Sequence, residues 1–360
     1  MALYNQVYGK YTAGTGSWLD NATYEKGKKN IYDAKVLEYF KSIISIDLSR
    51  INLLNKINNL EIMDVGTGRQ AISFYELGAK SVDHYDISLT NVKNLKKYVK
   101  KNKLPIRSFH SDICNTNFNN KKKYNFIYLQ GIIQHVSNPF AAITNLSNAC
   151  KKEGILWFYN YQVGAINHIY IEAFRYILAN KIDYRTLTNI LFTSGFNSKA
   201  VDSILDNYGC NYRHLIKNSA YHKHLANCGF SKFYSKDEID QSNGIDLRVT
   251  TNACIAGYKK KSSELNNIIP PKIKHVNHFD PKNYILSQQS FIKEFNLLNS
   301  KILCNLKGKK LSNYDLISIC MPLFRGYLLN KNIQPFQESK QNIINSFKSC
   351  LFLLKNRRNL

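Results

Sequence analysis

The stretch Glu61-Ile-Met-Asp-Val-Gly-Thr-Gly68 decides the fold that we predict for this chain. Its first half is a short apolar run typical of a buried strand, and its second half is a glycine-rich turn that leads into the helical pattern of 71–77. Glycines in such a turn let the backbone approach a ligand closely, while the following helix offers its N-terminal amides. The pattern predicts a loop that holds a nucleotide-like cofactor, although any tight strand-to-helix turn would also explain the glycines.

Four further apolar runs follow, each separated from the next by a turn or a helical pattern. They lie at 81–86, 106–109, 124–129 and 154–159, and the segments 89–101 and 140–150 have helical spacing. Strands that alternate with helices form βαβ units, whose parallel sheet is covered on both faces. We therefore predict a doubly wound α/β core.

The remaining sequence divides around this core. We predict an N-terminal helical or lid segment, 1–45; a core, 46–160 together with 216–260; a helical insertion, 161–215; and a basic, helical C-terminal region, 261–360. The glycine-rich and aromatic stretch 8–19 is interpreted as a lid over the cofactor, with Tyr11 or Trp18 as the cover, or as an arm that is merely docked.

Composition narrows the functional classes. The chain has 360 residues with 50 Lys+Arg against 25 Asp+Glu, a formal net charge of +25. Such an excess is typical of nucleic-acid binding, but 40 Lys, 10 Arg and 43 Asn are also what AT-rich codons of a low-GC genome produce. The positive charge therefore supports a nucleic-acid partner only in 261–360, which contains 16 Lys+Arg and 5 Asp+Glu.

The sequence has no pattern of a signal peptide and no apolar run near the roughly 18 residues of a membrane span. Its eight cysteines form no C-x-x-C pair. We accordingly expect a soluble, cytoplasmic protein with reduced thiols, no bound metal and no membrane partner.

Two aspartates follow strands of the predicted sheet. Asp86 ends the second strand 22 residues after Asp64, where a carboxylate can take both hydroxyls of a ribose. This spacing fits nicotinamide enzymes as well as methyltransferases. Asp112 follows the third strand and is interpreted as the acceptor for an adenine amine or as the N-cap of a helix.

The order of these motifs resembles the class I S-adenosylmethionine-dependent methyltransferases. The match continues through Tyr124 to Pro139 after the fourth strand, with two departures: Gln70 stands where many members have a third glycine, and Cys150-Lys-Lys-Glu-Gly154 replaces a Lys-Pro-Gly-Gly turn. The resemblance implies a Rossmann-like methyltransferase sheet with S-adenosylmethionine as cofactor and S-adenosylhomocysteine as product.

The resemblance also implies roles for single residues. Asp64, Gly66 and Gly68 would hold the methionine part of the cofactor, and Asp86 would bind its ribose. Asp112 and Ile113 would bind the adenine, whose face Ile87 would cover. Gln130 and Gly131 would line the sulfonium.

The acceptor side begins with His135, at the place where this family often has a His-His pair whose first member is here Gln134. Histidine serves as a base near neutral pH, so His135 is a candidate base, or else a capping or packing residue; Tyr161 is the second catalytic candidate. The expected acceptor contacts are Tyr159, Asn160, Arg175, Tyr212 and Arg213. The arginines would clamp a carboxylate or phosphate, or pair structurally.

These patterns predict an enzyme that moves a methyl group to an O, N or S atom of a small molecule by in-line displacement. The main alternative is an RNA methyltransferase that grips tRNA or rRNA phosphates through 261–360. A nicotinamide-dependent dehydrogenase is disfavoured because Asp64 and Asp112 suit the sulfonium cofactor better. A non-catalytic cofactor-binding subunit, and a homo-oligomer formed through the C-terminal region, remain open.

Overall fold

The protein is described by a computed structural model. It covers residues 32–116, 118, 123–161, 170, 171, 174, 175, 178, 182, 184–208, 212–214, 216, 218–235, 252–259, 320, 321, 323, 324, 327 and 328. The predicted lid with Tyr11 and Trp18, and nearly all of 261–360, lie outside these residues.

The core is a seven-stranded sheet in the order β3-β2-β1-β4-β5-β7-β6. Its strands are β1 (Glu61–Val65), β2 (Ser81–Asp86), β3 (Ile106–His110), β4 (Tyr124–Leu129), β5 (Cys150–Tyr161), β6 (Phe230–Ser235) and β7 (Asn252–Lys259). The first five strands are parallel, whereas β7 runs antiparallel to β5 and β6. The predicted doubly wound α/β sheet is confirmed, and β6 is a strand that the apolar runs did not predict.

Seven helices with described bounds accompany the strands. They are α1 (Ala34–Arg50), α2 (Arg69–Glu76), α3 (Leu89–Asn102), α4 (Pro139–Ala149), α5 (Tyr184–Thr193), α6 (Ser198–Tyr208) and α7 (Asn218–Asn227), with 3-10 turns at Leu54–Asn59 and Ile133–His135. Of these, α2, α3 and α4 lie between parallel strands. Local signals set their starts, because Ser88 caps α3 and Asn138 caps α4 ahead of a proline at the first helical position. No helix within the described ranges combines the length and apolar character that a membrane span requires.

Hydrophobic layers cover both faces of the sheet. Successive strand residues point to opposite faces, so Leu156 and Phe158 pack in one layer with α4 and α7. Trp157 lies in the other layer with α1 and α2. Both faces of β4 and β5 are thus buried, which leaves the carboxyl ends of the strands as the place where polar side chains gather.

A second compact unit contains α5 and α6. Its core combines residues of the predicted insertion, such as Phe174 and Leu191, with Phe324 and Tyr327 from the C-terminal region. The Tyr327 hydroxyl also accepts a 2.9 Å hydrogen bond from Asn207 Nδ2. These two parts of the chain were predicted as separate segments, whereas their described residues share one core.

Candidate active site

The site begins at the centre of the sheet, where β1 lies between β2 and β4. From β1 the chain continues outward to β2 and β3, while β4 and β5 extend to the other side. The connections therefore diverge at the carboxyl ends of β1 and β4 and leave a crevice, which is where doubly wound sheets bind their ligands.

The turn after β1 is tightly packed. The Gly66 amide donates to the Tyr85 carbonyl at 3.1 Å, and Gly68 has a φ of +83°. A Cβ at position 68 would lie 2.7 Å from Leu95 Cδ2 on α3. Glycine is required at position 68 for both its backbone conformation and its close approach to α3.

Asp64, at the penultimate position of β1, is fully buried, and neither of its carboxylate oxygens has a hydrogen-bond partner in the described structure. Burial raises the pKa of this carboxyl from 3.8 to about 8. The Ala71 amide of α2, which lies near the carboxylate without reaching hydrogen-bond geometry, and the charge of Arg69 oppose the rise, whereas Asp86 adds to it. A buried acid without a partner needs an explanation in a native fold, and a missing cationic or hydrogen-bonding ligand supplies one.

Asp86 ends β2 in a fixed orientation. Its carboxylate accepts hydrogen bonds from the Ser88 amide at 2.8 Å and from Asn91 Nδ2 at 2.7 Å. Burial raises the pKa of Asp86 to about 7, and the hydrogen bonds from Asn91 and Ser88 oppose that rise. Two buried acids on adjacent strands thus border the glycine turn.

His84 of β2 holds the turn after β1 through a hydrogen bond. Its Nε2 donates to the Gly66 carbonyl at 2.6 Å, and its Nδ1 lies 2.8 Å from the hydroxyl of Ser108 on β3. A carbonyl can only accept, so Nε2 carries the proton and Nδ1 accepts from Ser108 in the neutral ring. Burial lowers the pKa of His84 to about 4, which keeps the ring neutral at physiological pH.

Gln70 bridges the two sides of the crevice. Its Oε1 accepts from the Thr67 hydroxyl at 3.3 Å, and its Nε2 donates to Gln130 Oε1 at 3.4 Å. The residue that stands in place of a third glycine therefore links the turn after β1 to the turn after β4. There Gly131 adopts a φ of +70°.

On the β3 side, Asp112 accepts from the Cys114 amide at 2.8 Å. It caps a turn and no helix, because the described residues that follow form no helical segment. The side chain of Ile113 is buried in the core, so only its backbone can meet a ligand. Ile87 is half-buried, and its carbonyl accepts from His110 Nε2 at 2.9 Å.

The 3-10 turn after β4 is held by the segment Tyr212 to His214. The His214 amide donates to the Gln134 carbonyl at 2.8 Å, and His214 Nε2 donates to the Val136 carbonyl at 2.8 Å. His135 Nδ1 donates to the Tyr212 carbonyl at 3.0 Å. Because Nδ1 carries the proton of the neutral His135 ring, its lone pair is on Nε2.

Tyr161 lies beside this turn. Its ring meets that of His135 edge to face at 5.4 Å between centroids, and the guanidinium of Arg213 lies 4.8 Å from the ring centroid of Tyr161. His135 is 8% exposed and Arg213 is 7% exposed. Tyr159 packs edge to face on Tyr161. The predicted residues His135, Tyr159, Tyr161 and Arg213 therefore form one cluster.

Three other predicted acceptor contacts lie elsewhere. The Tyr212 ring stacks on that of His214 at 6.0 Å between centroids, and burial, with the nearby Cys114 and Asp112, raises the pKa of its hydroxyl. Asn160 is fully buried and donates to the Ile216 carbonyl at 2.8 Å and to Asn218 Oδ1 at 3.2 Å. Arg175 belongs to the second unit, where it donates to the Asn207 carbonyl at 2.9 Å.

Comparison with known families identifies the core. Residues 63–158, which run from β1 to β5, match the family model described as a methyltransferase domain. Residues 63–158 therefore form a methyltransferase domain, whose cofactor is S-adenosylmethionine. No curated protein sequence matches the chain significantly.

Solved methyltransferases are among the structures to which the chain is similar at low identity. Magnesium protoporphyrin IX methyltransferase from Synechocystis, with bound S-adenosylhomocysteine, is 12% identical, with a TM-score of 0.44 over 72% of this chain and 99% of that chain. An S-adenosylmethionine-dependent methyltransferase from Methanosarcina mazei is 15% identical, with a TM-score of 0.38 over 56% of this chain and 92% of that chain.

The side chains of the methyltransferase domain fit its cofactor. Asp64 offers two carboxylate oxygens without partners to a cationic group, and Asp86 is an oriented carboxylate at the end of β2. The turn at Gly68 leaves no room for a side chain. Buried acids beside a glycine turn suit a ligand that carries a sulfonium, an ammonium and ribose hydroxyls.

Sequence reasoning missed four residues that shape the methyltransferase site: His84, Ser108, Gln134 as a side chain, and His214. A polar residue inside the otherwise buried strand 81–86 was the available signal for His84. Nothing in the local pattern reveals that its partner is the Gly66 carbonyl, because strand periodicity specifies a face and not a contact.

Proposed function

We propose that this methyltransferase transfers the methyl group of S-adenosylmethionine to an oxygen, nitrogen or sulfur atom of a small molecule. The observation that carries the proposal is the pair of buried acids at the switch point of the sheet, Asp64 without partners and Asp86 held by Ser88 and Asn91. The cofactor supplies an activated methyl group. The protein therefore has to align the acceptor with that group, exclude water from both and, where the acceptor needs it, remove a proton from the acceptor.

In this proposal the residues of the crevice divide the cofactor between them. Asp64, Gly66 and Gly68 hold the methionine part, Asp86 binds the ribose, Asp112 and the backbone of Ile113 bind the adenine beside Ile87, and Gln130 and Gly131 line the sulfonium. The bridge from Gln70 to Gln130 supports this division because it links the two turns that would meet the methionine part and the sulfonium.

A small acceptor is favoured by the burial of the opposite side of the crevice. His135 and Arg213 are each more than nine-tenths buried, and the segment Tyr212 to His214 is bonded over the turn that carries His135. A macromolecular acceptor needs an open approach to these groups. Tyr161, with Arg213 over its ring, supplies a flat wall for a small molecule.

The cofactor role is tested by calorimetric titration of the full chain with S-adenosylhomocysteine and, separately, with NAD. We expect binding of the first compound only, and we expect Asp86→Ala to weaken it at least about 100-fold, because an anchored carboxylate gives charge-assisted hydrogen bonds. No response to S-adenosylhomocysteine in folded, cofactor-free protein contradicts the proposal.

The matched control is Asp83→Asn. Asp83 is a second buried aspartate of β2, but it points to the opposite face, where Arg107 and Tyr124 bind its carboxylate at 2.6 to 2.8 Å. This variant loses stability and keeps its affinity for S-adenosylhomocysteine. The acceptor is then sought by radiolabelled methyl transfer from S-adenosylmethionine into fractionated metabolites and, in parallel, into tRNA and rRNA.

A further inference from the structure

Gln134 carries the most unusual buried polar group on the acceptor side. Its side chain is fully buried, and neither Nε2 nor Oε1 has a hydrogen-bond partner in the described structure. An unsatisfied buried polar group costs about 1–3 kcal/mol. A leucine or methionine at position 134 would fill similar space without this loss of stability.

The surroundings of Gln134 place its carboxamide beside the turn after β4, which lines the sulfonium in the proposed function. A Cβ added at Gly131 would lie 3.9 Å from Gln134 Nε2, so the amide lies against the turn after β4. The main chain of Gln134 is fixed by the hydrogen bond from the His214 amide. The next residue is His135, whose neutral ring has its lone pair on Nε2.

We infer that the Gln134 carboxamide is a ligand contact that hydrogen-bonds the nucleophilic group of the acceptor beside the methyl donor. An amide oxygen accepts from a hydroxyl or amine, and an amide N–H₂ donates to a neighbouring oxygen. The acceptor class is therefore narrowed to hydroxyl or amino compounds that carry a second polar group nearby. Thioethers, which have no hydrogen to donate, and thiols, whose S–H is a weak donor, fall outside this class. The inference rests on the proposed function.

A test that needs no knowledge of the acceptor uses two cofactor analogues. Sinefungin carries an amino group at the place from which S-adenosylmethionine donates its methyl group, and S-adenosylhomocysteine has nothing there. We expect the preference for sinefungin over S-adenosylhomocysteine to fall about 10-fold in Gln134→Met, because a charge-assisted hydrogen bond of about 1.4 kcal/mol is lost. The affinity for S-adenosylhomocysteine itself changes less than about 2-fold, since that compound never reaches the amide.

A stability readout separates this role from a structural one. Removing an unpaired amide raises the melting temperature of ligand-free Gln134→Met or leaves it unchanged, while the sinefungin preference falls. The matched control is Tyr221→Phe, which removes another fully buried and unpartnered polar atom, packed against Phe158 in the apolar layer. It keeps the wild-type preference.

An unchanged sinefungin preference in folded Gln134→Met overturns the inference while leaving the cofactor site intact. A wild-type protein that binds neither analogue overturns the proposed function, and the inference with it. A Gln134→Met variant that melts lower than wild type and loses both affinities together shows that the amide is a structural element of the turn, which also overturns the inference.

Discussion

At the scale of single residues, the tautomer of His135 is the feature with the clearest chemical meaning. Its Nδ1 donates to the Tyr212 carbonyl, so the basic lone pair of the neutral ring is on Nε2. A backbone carbonyl that fixes the ring in this way prepares a histidine to accept a proton. The sequence predicted the histidine and its position after β4, but not the carbonyl 77 residues later in the chain that orients it.

We expect His135→Ala to bind S-adenosylhomocysteine with little change and to slow methyl transfer about 100- to 10,000-fold if the acceptor must lose a proton. The comparison is made on the acceptor found by the metabolite screen, with turnover and binding measured separately. His224→Ala is the control, because His224 is a buried histidine of α7 that is bonded to Thr144 and distant in sequence from the turn. Full turnover in His135→Ala removes His135 from the mechanism.

At the scale of elements, His84 links three neighbouring strands. It sits on β2, donates to the carbonyl of Gly66 after β1, and accepts from Ser108 on β3. The glycine turn after β1 is therefore positioned by hydrogen bonds from the sheet as well as by its glycines.

This arrangement predicts that His84→Leu weakens S-adenosylhomocysteine binding about 10-fold or more, because the released carbonyl lets the turn shift. His84→Gln restores most of the affinity, since a glutamine amide can replace the Nε2 donor. Both variants lose folding stability in urea titrations, so only the difference between them reports positioning. Equal affinities in the two variants would refute the role.

Sequence patterns predicted some of the strands and helices and missed others. The apolar runs predicted β1 to β5 because each is long, buried and bounded by turns. β6 (Phe230–Ser235) was missed, since its mixed residues pair with β7 alone at the edge of the sheet. The described residues of 320–328 belong to a region predicted as an appendage, but the packing of Phe324 and Tyr327 with Phe174 depends on contacts between distant segments, which periodicity does not encode.

At the scale of the whole molecule, the buried acids make stability depend on pH. The pKa of Asp64 is raised to about 8 in the folded, ligand-free protein, so the folded state holds a proton that the unfolded state has already released. The stability from this group is complete below about pH 4 and is lost as the pH rises through 8. Asp86 has the same sign, with a pKa of about 7.

We therefore expect ligand-free Asp64→Asn to gain stability relative to wild type as the pH rises from 5 to 8, by at least about 1 kcal/mol. Urea unfolding of both proteins at a series of pH values measures this difference, and His84, which titrates with the opposite sign below its ordinary pKa, cancels in the comparison. A difference that does not vary with pH would contradict a buried, proton-binding Asp64.

The second unit has one more consequence. Its helices α5 and α6 pack with Phe324 and Tyr327 around a core of their own, while the chain between β5 and α7 passes through it. Substitutions inside that core can accumulate without repacking the sheet, because the stability effects of mutations in separate hydrophobic cores are largely independent. A lineage of such enzymes is thus free to diverge quickly in this unit while the cofactor crevice stays constant.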